Sequence, residues 1–312
     1  MRHAFNRCVI ITNTVSTNHH RARQLSEDIK KHFTEDQVDV IEVTPGKSKT
    51  GDSLVEEVIK SLDNKTLVCI GGGDGSISRF INRLLLNPNL SKGAKQAVVL
   101  PLWGGNANDL AYMVNGSAYA VDIKKILDKG RVVKVYPMEV TVRAGKIEIH
   151  LASNYVSFGA SAYAAKQISD LNARNPIRRF IKEFWGIVRA AKQARPFTAE
   201  IDGRVASIYD LILVNGSRIA KVYRTPNRLT DKAFFELVID RKPPVFLSYL
   251  ARIIRGVTWE RKRNRRGSHS LTVHDATWAQ IDGEVIDIPK GARIDIKTYK
   301  TPFYVLSTKL RS

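Results

Sequence analysis

Four glycines, an aspartate and a serine fill the stretch Gly71–Ser76, directly after the apolar run Thr66–Ile70 and directly before a helical pattern. Glycine is costly unless the backbone needs φ > 0 or something must come very close to it. A tight turn, a phosphate, or both meet that condition. A turn that opens a helix exposes backbone amides at the positive end of the helix dipole, which suits an anion. Asp74 is then out of place, since a carboxylate repels phosphate. It fits if Mg²⁺ lies between them, directly or through water, or if Asp74 orients a donor. The stretch matches neither the phosphate loop that ends in Gly-Lys-Ser/Thr nor the dinucleotide G-x-G-x-x-G pattern. By glycine content alone, a plain tight turn accounts for it almost as well as a phosphate site.

A second turn of this kind shifts the balance. LPLWGGNANDLAYM, from Leu100 to Met113, again leaves a strand and enters a helix. In an open parallel sheet, ligands sit beyond the carboxyl ends of the strands. Two turns on successive strands, carrying Gly72, Gly73, Asp74, Gly75 and Ser76 on one and Asn106, Asn108 and Asp109 on the other, could therefore flank one nucleotide. Helix N-capping is the plainer account of Asn108 and Asp109. A third candidate is IDGEV, which brings Asp282 and Glu284 together. Asp-Gly is also a good hairpin turn, and Asp202–Gly203 repeats it where no chemistry is expected.

The elements that position these residues follow from periodicity. Strand-like runs Cys8–Asn13, Val38–Thr44, Thr66–Ile70 and Gln96–Leu102 alternate with helical spacing at His19–Phe33, Ser53–Leu62 and Ser76–Leu86. Apolar runs without strict alternation, separated by helices, predict a mostly parallel sheet covered on both faces. From about Arg131 the style changes to short strands at hairpin spacing, with turns at Ala144–Gly145 and Asp202–Gly203, which predicts an antiparallel sandwich or barrel. Two helices are expected to interrupt it, at NPIRRFIKEFWGIVRAAKQ and VFLSYLARIIRG. An α/β half over 1–130, which the C-terminal tail could complete, and a β-rich half over 131–300 result.

Composition sets the outer bounds. The chain has 312 residues, of which 43% are hydrophobic, enough for two domains with cores of their own. It has no uninterrupted apolar stretch of a length that spans a bilayer. The opening apolar run is too short for a signal-peptide core and reads as a first strand, so a cytoplasmic location is expected. Cys8 and Cys69 lie inside apolar strands and read as buried free thiols. The net charge of +20 calls for a negative partner. Neither a zinc-finger spacing nor an RNA-binding aromatic motif accompanies it, which disfavours nucleic acid. The densest basic run, WERKRNRRGSH (Trp259–His269), is a solvated loop or, beside the apolar run Val245–Ile254, a contact for an anionic membrane surface. Sandwich edge strands could also pair two chains.

GGGDGS followed by PLWGGNANDLA resembles the catalytic domain of the diacylglycerol kinases, shared with sphingosine and ceramide kinases. NYVSFGASAYAAK (Asn154–Lys166), NRLTDKAFFELVI (Asn227–Ile239) and QIDGEV (Gln280–Val285) resemble later segments of that family in the same order, so the likeness runs along nearly the whole chain. The resemblance implies an NAD kinase-like nucleotide domain joined to a β-sandwich domain. It implies ATP and Mg²⁺ as cofactors and a lipid alcohol such as diacylglycerol as acceptor. Gly72, Gly73, Asp74, Gly75 and Ser76 would hold the ATP phosphates, with Asn13 and Thr44 on the nucleotide and Asn106 in the second turn. Glu284 would accept the proton, beside Asp282. Asp231 would bind a structural Mg²⁺ with the backbone carbonyls of Arg228 and Ala233. The chain departs from the family pattern at Arg79, where a Glu is usual, at Lys232, where a Gly is usual, and by two extra residues, Trp103 and Gly104. A kinase of a soluble acceptor such as NAD, and a relative that binds nucleotide or anionic polymer without catalysis, are the competing readings.

Overall fold

Runs such as CVII and LVCI can only be strands buried on both faces, because neither face of the run is polar. The computed structural model describes residues 5–44, 49–105, 108–117, 121–169, 189, 193–219, 223–239, 261–265 and 267–310. In it these runs form β1 (Arg7–Asn13), β2 (Val38–Val43), β3 (Thr66–Gly72) and β4 (Val98–Trp103), parallel to one another in the order β2-β1-β3-β4. The crossovers are α1 (His19–Lys30), α2 (Lys49–Ser61) and α3 (Asp74–Leu86), followed by α4 (Asp109–Asn115) and α5 (Ile123–Lys129). Leu25 and Ile29 of α1 and Ile123 and Ile126 of α5 pack with Cys8, Ile10, Leu67 and Leu100 in one core. Helix α3 buries Ile77, Phe80, Ile81 and Leu84, a spacing of three and four residues that forms one stripe.

The sheet is closed by two strands from far along the chain. The strand β5 (Arg131–Val135) joins it rather than the β-rich half, so the junction lies at Pro137 and not at residue 130. The final strand, β20 (Phe303–Ser307), lies between β4, to which it is parallel, and β5, to which it is antiparallel. The first unit thus comprises Met1–Pro137, Leu229–Asp231 and Tyr299–Ser312.

Cys8 and Cys69 are free and buried, their sulfurs 3.8 Å apart. Cys8 is level with Leu67 and Cys69 with Ile10, so the two lie on a diagonal of the ladder. Burial, then the hydrogen bond with Cys8, pushes the Cys69 thiol well above the usual range.

The second unit, Met138–Arg228 with Lys232–Thr298, is two antiparallel sheets around one core. Its strands are β6 (Met138–Ala144), β7 (Lys146–Ala152), β8 (Tyr155–Gly159), β9 (Phe197–Ile201), β10 (Arg204–Ile208), β11 (Asp210–Val214), β14 (Phe234–Ile239), β15 (Arg261–Arg265), β16 (Ser268–Val273), β17 (Thr277–Ile281), β18 (Glu284–Ile288) and β19 (Arg293–Thr298). A short ladder pairs β12 (Arg218–Ile219) with β13 (Tyr223–Arg224), and α6 (Ala160–Ser169) follows β8. The sheet orders are β10-β9-β16-β19-β6-β7 and β15-β14-β11-β8-β17-β18. Val140, Val142, Leu271 and Ile294 of the first meet Phe158, Leu213, Phe234 and Ile281 of the second, the alternate residues of each strand facing inward.

Part of the basic run expected as a loop is therefore a strand: Arg261–Arg265 pair with β14. Trp259, Arg266, the helix expected at VFLSYLARIIRG and all but residues 189 and 193 of the one expected at NPIRRFIKEFWGIVRAAKQ lie outside the described residues.

Candidate active site

The turns that follow β1, β3 and β4 leave one edge of the parallel sheet, because parallel strands all end on the same side. There the two glycine turns touch. The Gly104 amide donates to the Gly72 carbonyl at 3.2 Å, carrying the ladder one step beyond the strands. A Cβ on Gly104 would lie 2.6 Å from the Gly72 nitrogen, and one on Gly105 only 2.2 Å from the Gly73 Cα. These glycines let one backbone approach another, which is a structural demand independent of any ligand. Gly105→Ala should therefore force the turns apart and lower stability by about 3 kcal/mol, the upper range for overpacking. A urea unfolding curve superimposable on the wild type would show that the turns do not touch.

Asp74 occupies the junction. One carboxylate oxygen accepts from the Asp109 amide and the other from the Leu110 amide, each at 3.1 Å. These are orphan amides at the start of α4, so Asp74 caps that helix from a neighbouring element. Of the two accounts of Asp74, this geometry favours the one in which it orients donors. Asn108 precedes α4 but makes no side-chain cap bond. It sits in the left-handed region at φ 53°, which asparagine tolerates, and its amide pairs reciprocally with Gly105. The Gly105 amide donates to Asn108 Oδ1 at 2.8 Å, and Asn108 Nδ2 donates to the Gly105 carbonyl at 2.7 Å. Asp109 is fully buried beside it.

Asn18, just ahead of α1, is a member of this set that the sequence does not announce. Its backbone amide donates to the Gly104 carbonyl at 2.7 Å and its Nδ2 to the Gly105 carbonyl at 2.6 Å. Only its place in the turn after β1 hints at the role. Asn13, at the end of β1, donates from Nδ2 to Ser76 Oγ at 3.0 Å. Thr44 is 2.6 Å from Thr14, hydroxyl to hydroxyl, at the end of β2. Gly72, Gly73, Gly75 and Ser76 run into the first turn of α3, while Asn106 lies outside the described residues.

Beside this rim is a pocket of about 50 Å³ between the strand ends, α2 and α3. Its apolar wall is Ile11, Val43, Val55, Ile70 and Phe80, and its polar lining is Asn13, Ser76, Arg79 and Arg83. The glycine turn that opens α3 thus adjoins a small pocket with cationic side chains, an arrangement suited to an anion.

The Asp-Gly-Glu turn belongs to the second unit. Asp282 and Gly283 have φ 46° and 94°, the doubly left-handed conformation of a two-residue hairpin, shared by Asp202 and Gly203 at 48° and 80°. The two turns differ in what the aspartate holds. Asp202 is partly exposed, whereas Asp282 is buried and accepts four hydrogen bonds. Its Oδ2 takes the Ser153 amide and hydroxyl at 2.6 and 2.7 Å, and its Oδ1 the Asn154 and Tyr155 amides at 3.0 and 2.9 Å. Burial pushes the carboxyl up, and these donors act in the opposite direction. With both oxygens engaged by one loop, Asp282 anchors the turn, and the geometry assigns it that role rather than a catalytic one. Glu284, two residues on, is exposed at the start of β18.

The expected magnesium loop is less well made. Asp231 is the one carboxylate offered there, and the Ala233 carbonyl already accepts from the buried Asn227 Nδ2 at 3.3 Å. Lys232 stands between them, and Arg228 contributes no acid. Magnesium demands six oxygens in near-octahedral array. Asp231 with the carbonyls of Arg228 and Ala233 supplies three of these, so water would have to complete the shell. Among the described residues no group of three or more His, Cys, Asp or Glu could hold a metal, and no helix is long and apolar enough to cross a membrane.

Comparison with known proteins bears on the fold that carries this site. The model of the diacylglycerol kinase catalytic domain matches residues 7–140. No curated protein sequence matches the chain significantly. A solved structure ascribed to a diacylglycerol kinase of Bacillus anthracis str. Sterne is 15% identical, with a TM-score of 0.70 over 98% of each chain. A further structure of a diacylglycerol kinase from the same organism is 14% identical and gives 0.64 over 97% of this chain and 98% of that one. Yeast NADH kinase, solved in complex with NADH, gives 0.54 at 12% identity over 97% of this chain and 83% of its own. The fold is the one these kinases share.

Proposed function

We propose, for a chain that resembles the diacylglycerol kinase catalytic domain over residues 7–140, that it is an ATP-dependent lipid kinase. Its acceptor is the hydroxyl of diacylglycerol or a related lipid alcohol. The observation that carries the reading is the contact of the two glycine turns through Asp74, which builds a rim of backbone amides beside the pocket.

Phosphoryl transfer needs positioning and charge neutralisation more than covalent chemistry. The amides of Gly73 and Gly75 and the Ser76 hydroxyl, with the α3 dipole, hold the phosphates, and Asn13 and Thr44 bind the nucleotide at the neighbouring strand ends. Asp74 keeps the rim in shape by holding α4. Magnesium, if it arrives bound to ATP, would neutralise charge on the phosphates. The acceptor oxygen forms a bond to the γ-phosphorus as the bond to the β–γ bridging oxygen breaks, and ADP leaves. The hydroxyl proton goes to Glu284, whose turn Asp282 fastens.

The charge of +20 supports a protein that gathers at an anionic membrane surface and takes its substrate there. Each Lys or Arg near such a surface contributes about 1 kcal/mol, and salt screens it. The test combines labelled ATP, purified protein, NAD and vesicles of anionic lipid containing diacylglycerol, at low and high salt. Label in the organic phase, falling as salt rises, is the expected result. Label only in a soluble product formed from NAD supports the alternative acceptor, a reading favoured by the fold shared with yeast NADH kinase. The absence of any labelled product overturns the kinase assignment.

A further inference from the structure

The pocket beside the rim has a chemistry that phosphates on the turn do not use. Three of its polar residues, Ser76, Arg79 and Arg83, lie on one face of α3, at positions i, i+3 and i+7. The stripe starts at the glycine turn and runs away from it. Arg79 is exposed and Phe80 beside it is buried in the apolar wall. The lining holds two arginines and, among the described residues, no acid. Arginine is the side chain suited to a phosphate, by paired charge-assisted hydrogen bonds.

We infer that Arg79 makes this pocket a second anion subsite, which recognises a phosphate on the ribose of a nucleotide whose 5′-phosphate lies on the glycine turn. The inference rests on the nucleotide reading above and goes beyond it: ATP carries no second phosphate on its ribose, so the subsite takes a second class of nucleotide that competes with ATP for the glycine turn. The three residues from Ser76 to Arg79 advance about 4.5 Å along the helix axis. A guanidinium at that distance from the turn is within side-chain reach of the sugar of a bound nucleotide. Asn13, which donates to Ser76 Oγ, lines the same pocket and offers a polar group to the sugar.

Calorimetric titration of the full chain with AMP, adenosine 2′,5′-bisphosphate and adenosine 3′,5′-bisphosphate tests this, with Mg-ATP as reference. One of the two bisphosphates should bind about tenfold more tightly than AMP, the gain expected of one charge-assisted arginine–phosphate contact. Arg79→Gln should abolish that difference, and Arg79→Glu should reverse it. Equal affinity of all three ligands for the wild type overturns the inference and leaves the nucleotide reading intact if Mg-ATP still binds. A uniform loss for AMP and bisphosphates alike in Arg79→Gln also overturns it, because Arg79 would then serve the 5′-phosphate. Failure of Mg-ATP to bind at all overturns both.

Discussion

Glu284→Gln lowers turnover by about a hundredfold or more while ATP affinity stays near that of the wild type, the expected result for loss of a general base. The reasoning is chemical. A lipid hydroxyl is a poor nucleophile whose pKa lies far above neutrality, so its proton must leave as the bond to phosphorus forms. Glutamine keeps the shape of glutamate and can accept a hydrogen bond, but it cannot take that proton. Glu284 is exposed, so the substitution leaves no buried group unpaired and the fold should be unaffected. The purified variant should give a normal unfolding curve and a normal Mg-ATP titration, with only the rate of lipid phosphorylation changed. Wild-type turnover would remove Glu284 from the mechanism.

Asp74→Ala has a different signature, since it should damage stability and nucleotide binding together. The two amides that start α4 lose their acceptor, and hydrogen bonds to a charged group contribute about 1.5–3 kcal/mol each. The second turn, held through Asp109, Leu110 and Asn108, then loses its register with the first. Mg-ATP affinity should fall at least about tenfold, a change of about 1.4 kcal/mol, and turnover with it. Lower stability with an unchanged Mg-ATP titration would show that Asp74 is only a structural cap. The contrast between the two variants tests whether Glu284 takes the proton and Asp74 only holds the turns in place.

Much of this was legible in the residues. The strands β1, β3 and β4 have continuous apolar runs and α3 carries a clear stripe, so the parallel sheet and its carboxyl edge could be read directly. The role of Asp74 could not be fixed, because sequence does not show that two turns come within bonding distance of one another. The glycines of Gly104 and Gly105 are needed for that approach, and composition alone cannot distinguish approach to a backbone from approach to a phosphate. Asp202 and Asp282 are likewise the same dipeptide with the same φ, and only burial and four donors separate an ordinary turn from an anchored one. The strand β5 was misplaced because RVVKV has the same short, alternating look as the strands after it. Its partner β20 lies far away in sequence, so no local signal could assign it to the first sheet.

That arrangement bears on how the molecule is made. A chain emerging from the ribosome releases β1 to β5 first, yet among the described residues β5 pairs with β20 alone. Until residues 303–307 appear, β4 presents an open edge and β5 has nothing to pair with. Every strand of the sandwich is synthesised in that interval, so the nucleotide-facing sheet begins first and is completed last, and its unpaired edge needs shielding by chaperones or neighbouring chain throughout.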